Sequence, residues 1–333
     1  MKILKVVEPN KFEFEERPIP VPLRNEALLK MLYCGICGSD VKVFTGNHPY
    51  ASYPRIMGHE ISAEVIQIGP DKLNPPAVVS VNPYFTCGKC SACINGKQNC
   101  CLKNETMGVQ RDGAYAEYIV VPVEKLITNT NPSLDEDLLA LTEPFAVGFH
   151  AIERADIQRN ERILIFGAGP IGIFTMISAV NKGAVVDIAD PHYDKLRIAM
   201  LLGVSDIANT KENDLSVLYN NTFGNGYDVC IDACGSKESI YDCFKFVKTG
   251  GKVILIGHSK EEIIMPHADI VKKELTIIAS RNSINLKATH EIIKNTDMLN
   301  SVITDIVPFE EVPDFYKRLV AKDDKIVKAL IRF

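Results

Sequence analysis

The sequence lacks a long apolar run, a basic stripe and an export signal. No stretch approaches the roughly 20 consecutive apolar residues that span a bilayer, so no membrane segment is predicted. The formal net charge is −5 and Lys and Arg form no cluster, which argues against nucleic acid as the partner. The opening residues, MKILKVVEPNKFEFEE, turn acidic at once and carry no cleavage site. We therefore expect a cytoplasmic protein that acts on a small molecule.

The 333 residues show two different patterns of predicted secondary structure, and this length suits two domains. Short β-like runs such as KILKVV, EALLKML and SAEVIQIG fill the first part and predict an antiparallel β-domain. A helix is expected over residues 133–152, with Ser133 as its N-cap. From Glu161 onward, strands such as RILIFGAG and AVVDIAD alternate with helical stretches, which is typical of parallel βαβ units. The predicted fold class is α/β.

Five of the ten cysteines lie in the stretch FTCGKCSACINGKQNCC. Cys87, Cys90 and Cys93 follow each other at intervals of three, and either Cys100 or Cys101 can supply a fourth thiolate. Four thiolates this close form a closed tetrahedral site of the kind that zinc occupies, with no position left for a substrate. The spacing predicts a structural zinc site. An iron–sulfur cluster and free surface thiols are the alternatives.

A glycine motif follows the first strand of the βαβ region. RILIFGAGPIG contains Gly167-x-Gly169-x-x-Gly172 between an apolar strand and a helix, the context that dinucleotide binding requires. Gly167 permits the tight turn, and Gly169 lets a pyrophosphate approach the helix N-terminus. The next strand ends in Asp190, whose carboxylate suits ribose hydroxyls and repels a 2′-phosphate. The motif predicts NAD in preference to NADP.

Three further stretches are weak alone and specific together: LYCGICGSDVK, MGHEISAEV and TEPFAVGFH. With the cysteine cluster, DGAYAEY, GAGPIG and KALIRF, they resemble the zinc-dependent medium-chain alcohol and polyol dehydrogenases along essentially the whole chain. The resemblance is nearest to bacterial sugar-acid 5-dehydrogenases and sorbitol dehydrogenase-like members. It implies a GroES-like catalytic domain over 1–150, with a zinc lobe at 87–101 and a completing segment at 285–333. It also implies a Rossmann NAD-binding domain over 151–284.

The resemblance implies two zinc ions per chain, one catalytic and one structural. The implied catalytic-zinc set is Cys37, His59, Glu60 and Glu143, and the implied structural-zinc set is Cys87, Cys90, Cys93 and Cys101. Three protein ligands leave an open position for water or alcohol, the arrangement of a catalytic zinc. Which of the two glutamates is the resting ligand stays open.

Other roles also follow from the resemblance. Ser39 matches the hydroxyl that bonds the reacting alcohol oxygen, and Asp40 matches the carboxylate that orients the zinc-bound His. The implied cofactor-binding set is Gly167, Gly169, Pro170, Ile171, Gly172, Asp190, Lys195, Cys234, Gly257 and Lys328. No metal-ligand role falls to Cys34, Cys230, Cys234 or Cys243, and buried apolar positions are expected for them. A homodimer or homotetramer is implied.

Some positions depart from the family pattern. Lys42 stands where many members carry a His that relays protons, and a solvated surface Lys competes with a role in binding acidic groups. Gln110 replaces a frequent His, and Pro76-Ala77 replaces a usual Gly-Asp. None of these changes removes a predicted zinc ligand.

The leading functional hypothesis is an NAD-dependent zinc dehydrogenase that oxidises a secondary hydroxyl of a sugar acid or polyol. Hexonate C5 is the first choice, and Arg111 or Arg281 is the expected carboxylate contact because Arg suits bidentate carboxylate binding. Sorbitol or another polyol and L-threonine are the alternative substrates. The competing hypothesis of another class is a non-enzymatic, zinc-stabilised, NAD-binding redox sensor.

Overall fold

Alternation of apolar and polar residues gives the N-terminal region its strands, and β3 is the longest of them. Along β3, Glu26–Ile36, most side chains are buried, and neighbouring strands pair with both of its edges. The computed structural model describes residues 1–70, 72–73, 77–129, 134–212, 215–259, 262–321 and 325–333. Within these ranges no helix is long and apolar enough to cross a bilayer.

Contacts divide the chain into two units. Unit 1 comprises Met1–Glu143, Ile284–Thr296 and Ile303–Phe333, and unit 2 comprises Pro144–Ser283 and Asp297–Val302. The boundary predicted at residue 150 falls inside a helix, Thr142–Arg154.

Unit 1 is rich in strands and has few, short helices. Its strands are β1 (Lys2–Glu8), β2 (Lys11–Glu16), β3 (Glu26–Ile36), β4 (Arg55–Ile56), β5 (Glu60–Ile68), β6 (Lys72–Leu73), β7 (Val78–Val81), β8 (Tyr84–Phe85), β9 (Glu105–Thr106), β10 (Tyr118–Pro122), β11 (Leu126–Thr128), β18 (Ile303–Pro308) and β19 (Lys328–Arg332). Its helices are α1 (Gly38–Phe44), α2 (Ser91–Ile94), α3 (Glu136–Leu139), the start of α4 (Thr142–Arg154), α10 (Leu286–Lys294) and α11 (Val312–Val320), with short 3₁₀ turns at Gln98–Cys100, Val123–Lys125 and Phe309–Glu311.

The main sheet of unit 1 has the strand order β11-β7-β5-β3-β19-β18, with β10 on β3 and β6 on β5. Strands β3 and β5 run antiparallel, and β19 pairs with the other edge of β3. A small sheet β2-β1-β4 and the pair β8-β9 complete the unit. The C-terminal strand therefore lies directly beside the strand that leads to the predicted metal ligands.

Unit 2 contains the predicted parallel sheet. Its elements are β12 (Arg162–Phe166), α5 (Pro170–Asn181), β13 (Val185–Asp190), α6 (Tyr193–Leu201), β14 (Asp206–Asn209), α7 (Leu215–Asn220), β15 (Tyr227–Asp232), α8 (Lys237–Phe246), β16 (Val247–Leu255), α9 (His267–Lys272) and β17 (Thr276–Ala279), with a 3₁₀ turn at Leu299–Val302. The strand order is β14-β13-β12-β15-β16-β17 and all neighbours are parallel. This order is that of a doubly wound dinucleotide fold, whose strand order reverses beside β12.

The helix predicted over 133–152 is two helices, α3 and α4. Pro144 has no amide hydrogen to donate to Ala140, so one continuous helix cannot pass through it, and it lies in the first turn of α4 instead. The proposed N-cap, Ser133, lies outside the described residues, as does Pro76.

Candidate active site

Cys37 lies at the junction between β3 and α1 and caps the helix. Its Sγ accepts a hydrogen bond from Ser39 N at 3.5 Å, while Asp40 Oδ2 accepts one from Cys37 N at 2.9 Å. This reciprocal capping box satisfies two amides that a helix start leaves free. Cys34 is fully buried in the hydrophobic core, and its thiol donates to Gly35 O at 3.6 Å. The two cysteines of the CGIC stretch therefore occupy different environments.

His59 and Glu60 stand at the start of β5 and meet Cys37. Ligand atoms of Cys37, His59 and Glu60 all lie within 4.8 Å of one another. Register explains the position of Glu60, because it pairs with Gly35 across β3 and β5. A Cβ on Gly35 would lie 1.8 Å from Glu60 Oε2, so the carboxylate occupies space that only a glycine leaves open.

Asp40 supports His59 electrostatically. Burial lowers the tendency of His59 to carry a proton, but Asp40 and Cys37 outweigh burial, and the pKa of His59 lies well above its ordinary value. Asp40 Oδ1 lies 3.6 Å from His59 Nδ1, and Asp40 is fully buried. Asp40 thus lies where its carboxylate can orient the His59 ring.

Lys328 on β19 is buried beside the same cluster. Its Nζ pairs with Glu60 Oε2 and donates to Ile36 O at 3.2 Å. Burial raises the pKa of Glu60 and the nearby Glu143 carboxylate adds to the rise, while Lys328 and His59 oppose it. The role of Lys328 at the cofactor stays a prediction. In the structure, the Lys328 amine forms an ion pair with Glu60.

Glu143 is buried in the first turn of α4, and its Oε1 accepts a hydrogen bond from Tyr84 Oη. It is not among the three side chains whose ligand atoms lie within 4.8 Å of one another. Sequence reasoning did not single out Tyr84. In the sequence, Tyr84 is marked only by its position shortly before the cysteine cluster.

The donor set fits a divalent transition metal. A thiol, an imidazole and a carboxylate converge, and borderline-soft Zn²⁺ takes these three ligand types in catalytic sites. In the described part of the chain, Glu60 Oε1 is buried without a hydrogen-bond partner. Buried polar atoms are seldom left unpaired, so a ligand there is expected.

The cysteine cluster has the dimensions of a tetrahedral metal site. Sγ–Sγ distances are 3.6 Å for Cys90–Cys93, 3.9 Å for Cys90–Cys101 and 3.5 Å for Cys101–Cys87. A tetrahedron with Zn–S bonds of about 2.3 Å has edges of about 3.8 Å. Backbone amides near Cys93 and Leu102 lower the pKa of Cys90 to about 6, which favours the thiolate. The four side chains that converge include Cys101, while Cys100 is exposed.

This difference gives a direct prediction. Cys101→Ser is expected to remove one zinc per chain and lower the thermal stability of unit 1, because closed zinc sites contribute folding energy. Cys100→Ser is the matched control and is expected to leave both values unchanged. Metal analysis by mass spectrometry and a thermal melt measure the outcome. Zinc loss in the Cys100 variant with retention in the Cys101 variant would contradict the assignment.

The glycine turn follows β12 in unit 2. Gly167 has φ +106°, and a Cβ on Gly172 would lie 1.8 Å from Gly167 O, so helix α5 packs directly on the turn. Gly169 is the N-cap of α5 and Pro170 follows as the first helical residue. A Cβ on Gly169 would meet nothing within 4 Å, so the space in front of the helix N-terminus is open. Ile171 continues this first turn.

Asp190 is buried at the end of β13 and binds the glycine turn. Its Oδ2 accepts from Ala168 N and its Oδ1 from His192 N, each at 2.8 Å. A carboxylate can accept about four hydrogen bonds, so capacity for ribose hydroxyls remains. Lys195 is half-buried on α6, whose first turn follows this site.

Cys234 and Gly257 also lie near this turn. Cys234 Sγ donates to Phe166 O at 3.3 Å, and a Cβ on Gly257 would lie 2.0 Å from Gly235 N. Cys234 is exposed, so the expectation that it is buried is wrong, because it follows β15 in a loop. Cys230 and Cys243 are buried in an apolar cluster, as predicted.

The predicted substrate contacts lie outside the three-ligand cluster. Arg111 is exposed, stacks over the Phe85 ring at 3.9 Å and donates to Glu105. Arg281 is exposed in unit 2, after β17. Lys42 is exposed in the last turn of α1, where a positive charge complements the helix dipole. Gln110 accepts from Thr106 N at 2.9 Å and closes a turn.

Comparison with known proteins places these features in a family. The model of the alcohol dehydrogenase GroES-like domain matches residues 24–131, and that of the zinc-binding dehydrogenases matches 170–299. L-galactonate-5-dehydrogenase of Escherichia coli (strain K12) is 32% identical over 100% of this chain and 99% of its own. The chain belongs to the zinc-type medium-chain alcohol dehydrogenases. The family, fold class and enzyme class predicted from the sequence are confirmed.

Other medium-chain dehydrogenases match at similar identity. Sorbitol dehydrogenase of Halalkalibacterium halodurans is 30% identical, with 81% of this chain and 80% of the relative covered. L-threonine 3-dehydrogenase of Bacillus licheniformis is also 30% identical, with 90% and 89% covered. The crystal structure of the rspB alcohol dehydrogenase from E. coli CFT073, complexed with NADH, superposes with a TM-score of 0.92 at 26% identity, covering 100% and 99% of the two chains. Identity alone does not distinguish their substrates.

Proposed function

We propose that this medium-chain dehydrogenase oxidises a secondary hydroxyl of a sugar acid or polyol, with zinc and NAD as its cofactors. Convergence of Cys37, His59 and Glu60 carries the proposal, because a set of three protein ligands is the arrangement of catalytic rather than structural zinc. The closed four-cysteine cluster supplies the contrast within the same unit. Its zinc would stabilise the lobe.

Each residue of the site has a distinct task. Cys37, His59 and Glu60 would hold the zinc, which, when bound, supplies Lewis-acid polarisation of the substrate hydroxyl. Asp40, whose Oδ1 lies 3.6 Å from His59 Nδ1, would orient the imidazole of His59. Ser39, half-buried in the first turn of α1, would relay the hydroxyl proton toward solvent.

Unit 2 supports NAD as the hydride acceptor. The open space before Gly169 and the N-terminal amides of α5 suit a pyrophosphate. Asp190 presents a buried carboxylate that accepts ribose hydroxyls and repels a 2′-phosphate. Structural relatives are seen with NADH and with NADP, so the proposed preference rests on Asp190.

The substrate class is the finer part of the proposal. A hexonate is our choice among the substrates named for relatives of similar identity, one of which, L-galactonate-5-dehydrogenase, aligns over the entire chain at 32% identity. Arg111, whose guanidinium donates to Glu105, or Arg281 stays the predicted carboxylate contact, because Arg suits bidentate carboxylate binding. A homodimer or homotetramer stays a prediction.

A substrate panel tests the choice. With NAD, kcat/KM for L-galactonate or L-gulonate is expected to exceed that for sorbitol and L-threonine at least tenfold, because a charge-assisted hydrogen bond is worth about 1.5–3 kcal/mol. NADP is expected to be at least tenfold poorer than NAD. NADH formation at equal enzyme concentrations measures both ratios, with Cys37→Ser as the inactive control. Faster turnover of sorbitol than of either hexonate would contradict the sugar-acid assignment.

A further inference from the structure

Tyr84 is held rigidly beside the proposed metal site. Its strand β8 pairs with β9, and Tyr84 faces Thr106 in that pair. Its backbone N donates to Asn82 Oδ1 at 3.1 Å, and its carbonyl accepts from Lys125 Nζ at 2.6 Å. The side chain is only 7% exposed. The phenol therefore points in one direction with little freedom to turn.

The Tyr84 side chain points toward Glu143. The Tyr84 hydroxyl donates to Glu143 Oε1, and both groups are buried. The phenol O–H is the donor in this bond, because an ionised carboxylate can only accept. One oxygen of Glu143 is thus occupied by a fixed donor.

Glu143 belongs with Cys37, His59 and Glu60 to the predicted catalytic-zinc set, and like His59 and Glu60 it is buried. It is not one of the three side chains whose ligand atoms already converge. With Oε1 bonded to the phenol, the other oxygen is the one that can turn toward a metal. Carboxylates at metal sites are themselves oriented by such outer hydrogen bonds.

We propose that Tyr84 is a positioning residue of the metal site, which fixes the Glu143 carboxylate toward the metal held by Cys37, His59 and Glu60. The proposal rests on the proposed function of these three residues as a metal centre. Neither the glycine motif nor the four-cysteine spacing requires this tyrosine. It tunes how tightly the site holds its metal.

Zinc affinity of the full-length chain tests the proposal, with Tyr84→Phe, Glu143→Gln and the double variant measured by competition against a chromogenic chelator. Tyr84→Phe is expected to weaken zinc binding at the Cys37 site 10- to 100-fold, the usual effect of removing an outer partner. In the Glu143→Gln background the same change is expected to add less than twofold, because its effect passes through Glu143.

Tyr227→Phe is the matched control. Its buried phenol also donates to a carboxylate, Asp187 Oδ2 at 2.7 Å, but in unit 2. It is expected to leave zinc affinity at wild-type value. Zinc at the four cysteines reports whether the lobe next to Tyr84 is intact, and it is expected to stay in every variant.

Four results would overturn the role of Tyr84. They are an affinity within twofold of wild type, an equal loss in both Glu143 backgrounds, loss of the four-cysteine zinc as well, and a wild-type chain that binds zinc only at the four cysteines. Failure of the proposed reaction is seen separately, as absent NADH formation by a chain that holds two zinc ions. In that case the affinity measurements still decide the role of Tyr84.

Discussion

Cys37→Ala is expected to remove one of two zinc ions and to lower kcat/KM at least 1,000-fold. Its thiol is one of three converging ligands, so its loss leaves two protein ligands where catalytic zinc takes three. Lewis-acid stabilisation supplies several kcal/mol, and 1,000-fold corresponds to about 4 kcal/mol. Metal analysis and steady-state kinetics on the preferred substrate measure both losses.

Cys34→Ala is the control that makes this result specific. Cys34 lies three residues earlier, on β3, pairs with Ile331 on β19 and is fully buried. Burial raises the pKa of its thiol well above the ordinary value, so it stays a neutral core group. The variant is expected to keep both zinc ions and most activity, at a cost of about 1 kcal/mol in stability. Equal losses in the two variants would mean that the cysteines act as a pair.

Local motifs in the sequence predicted the parts of the site that are local in the chain. Four thiolates within one loop, and three glycines at one strand-to-helix turn, are fixed by backbone spacing alone, so their spacing is informative. The choice of Cys37 over Cys34 came instead from resemblance, and the structure supplies its physical basis in the cap of α1. Spacing between cysteines three apart does not reveal which one faces the core.

Contacts between distant segments were beyond the sequence. Tyr84 and Glu143 are 59 residues apart, and Lys328 reaches a carbonyl 292 residues before it. The second contact exists because β19 pairs with β3, whose other edge carries β5 and Glu60. The residue type of a buried lysine or tyrosine does not predict which side chain it will contact. Pro144 did offer a signal, since a proline so early in α4 requires a break before it.

Lys328→Met is expected to destabilise the chain by about 3–5 kcal/mol when the Cys37 site holds no metal. Lys328 is 2% exposed and Glu60 is fully buried, and each is the main opposite charge of the other. Removal of one partner from a buried ion pair leaves the other charge unpaired, which costs about that amount. Urea denaturation in the Cys37→Ala background measures this loss of stability. That variant leaves the Cys37 site without metal, while the four cysteines keep their zinc in both chains that are compared.

Two comparisons separate this charge effect from lost packing. Glu60→Gln combined with Lys328→Met removes both charges and is expected to recover most of the loss, since replacing a whole buried pair is often near neutral. Lys317→Met breaks an exposed pair with Asp314, both 80% exposed, and is expected to cost less than about 1 kcal/mol. A double variant no more stable than Lys328→Met would assign the loss to packing. Recovery would mean that Lys328 balances Glu60 until a metal takes over that task.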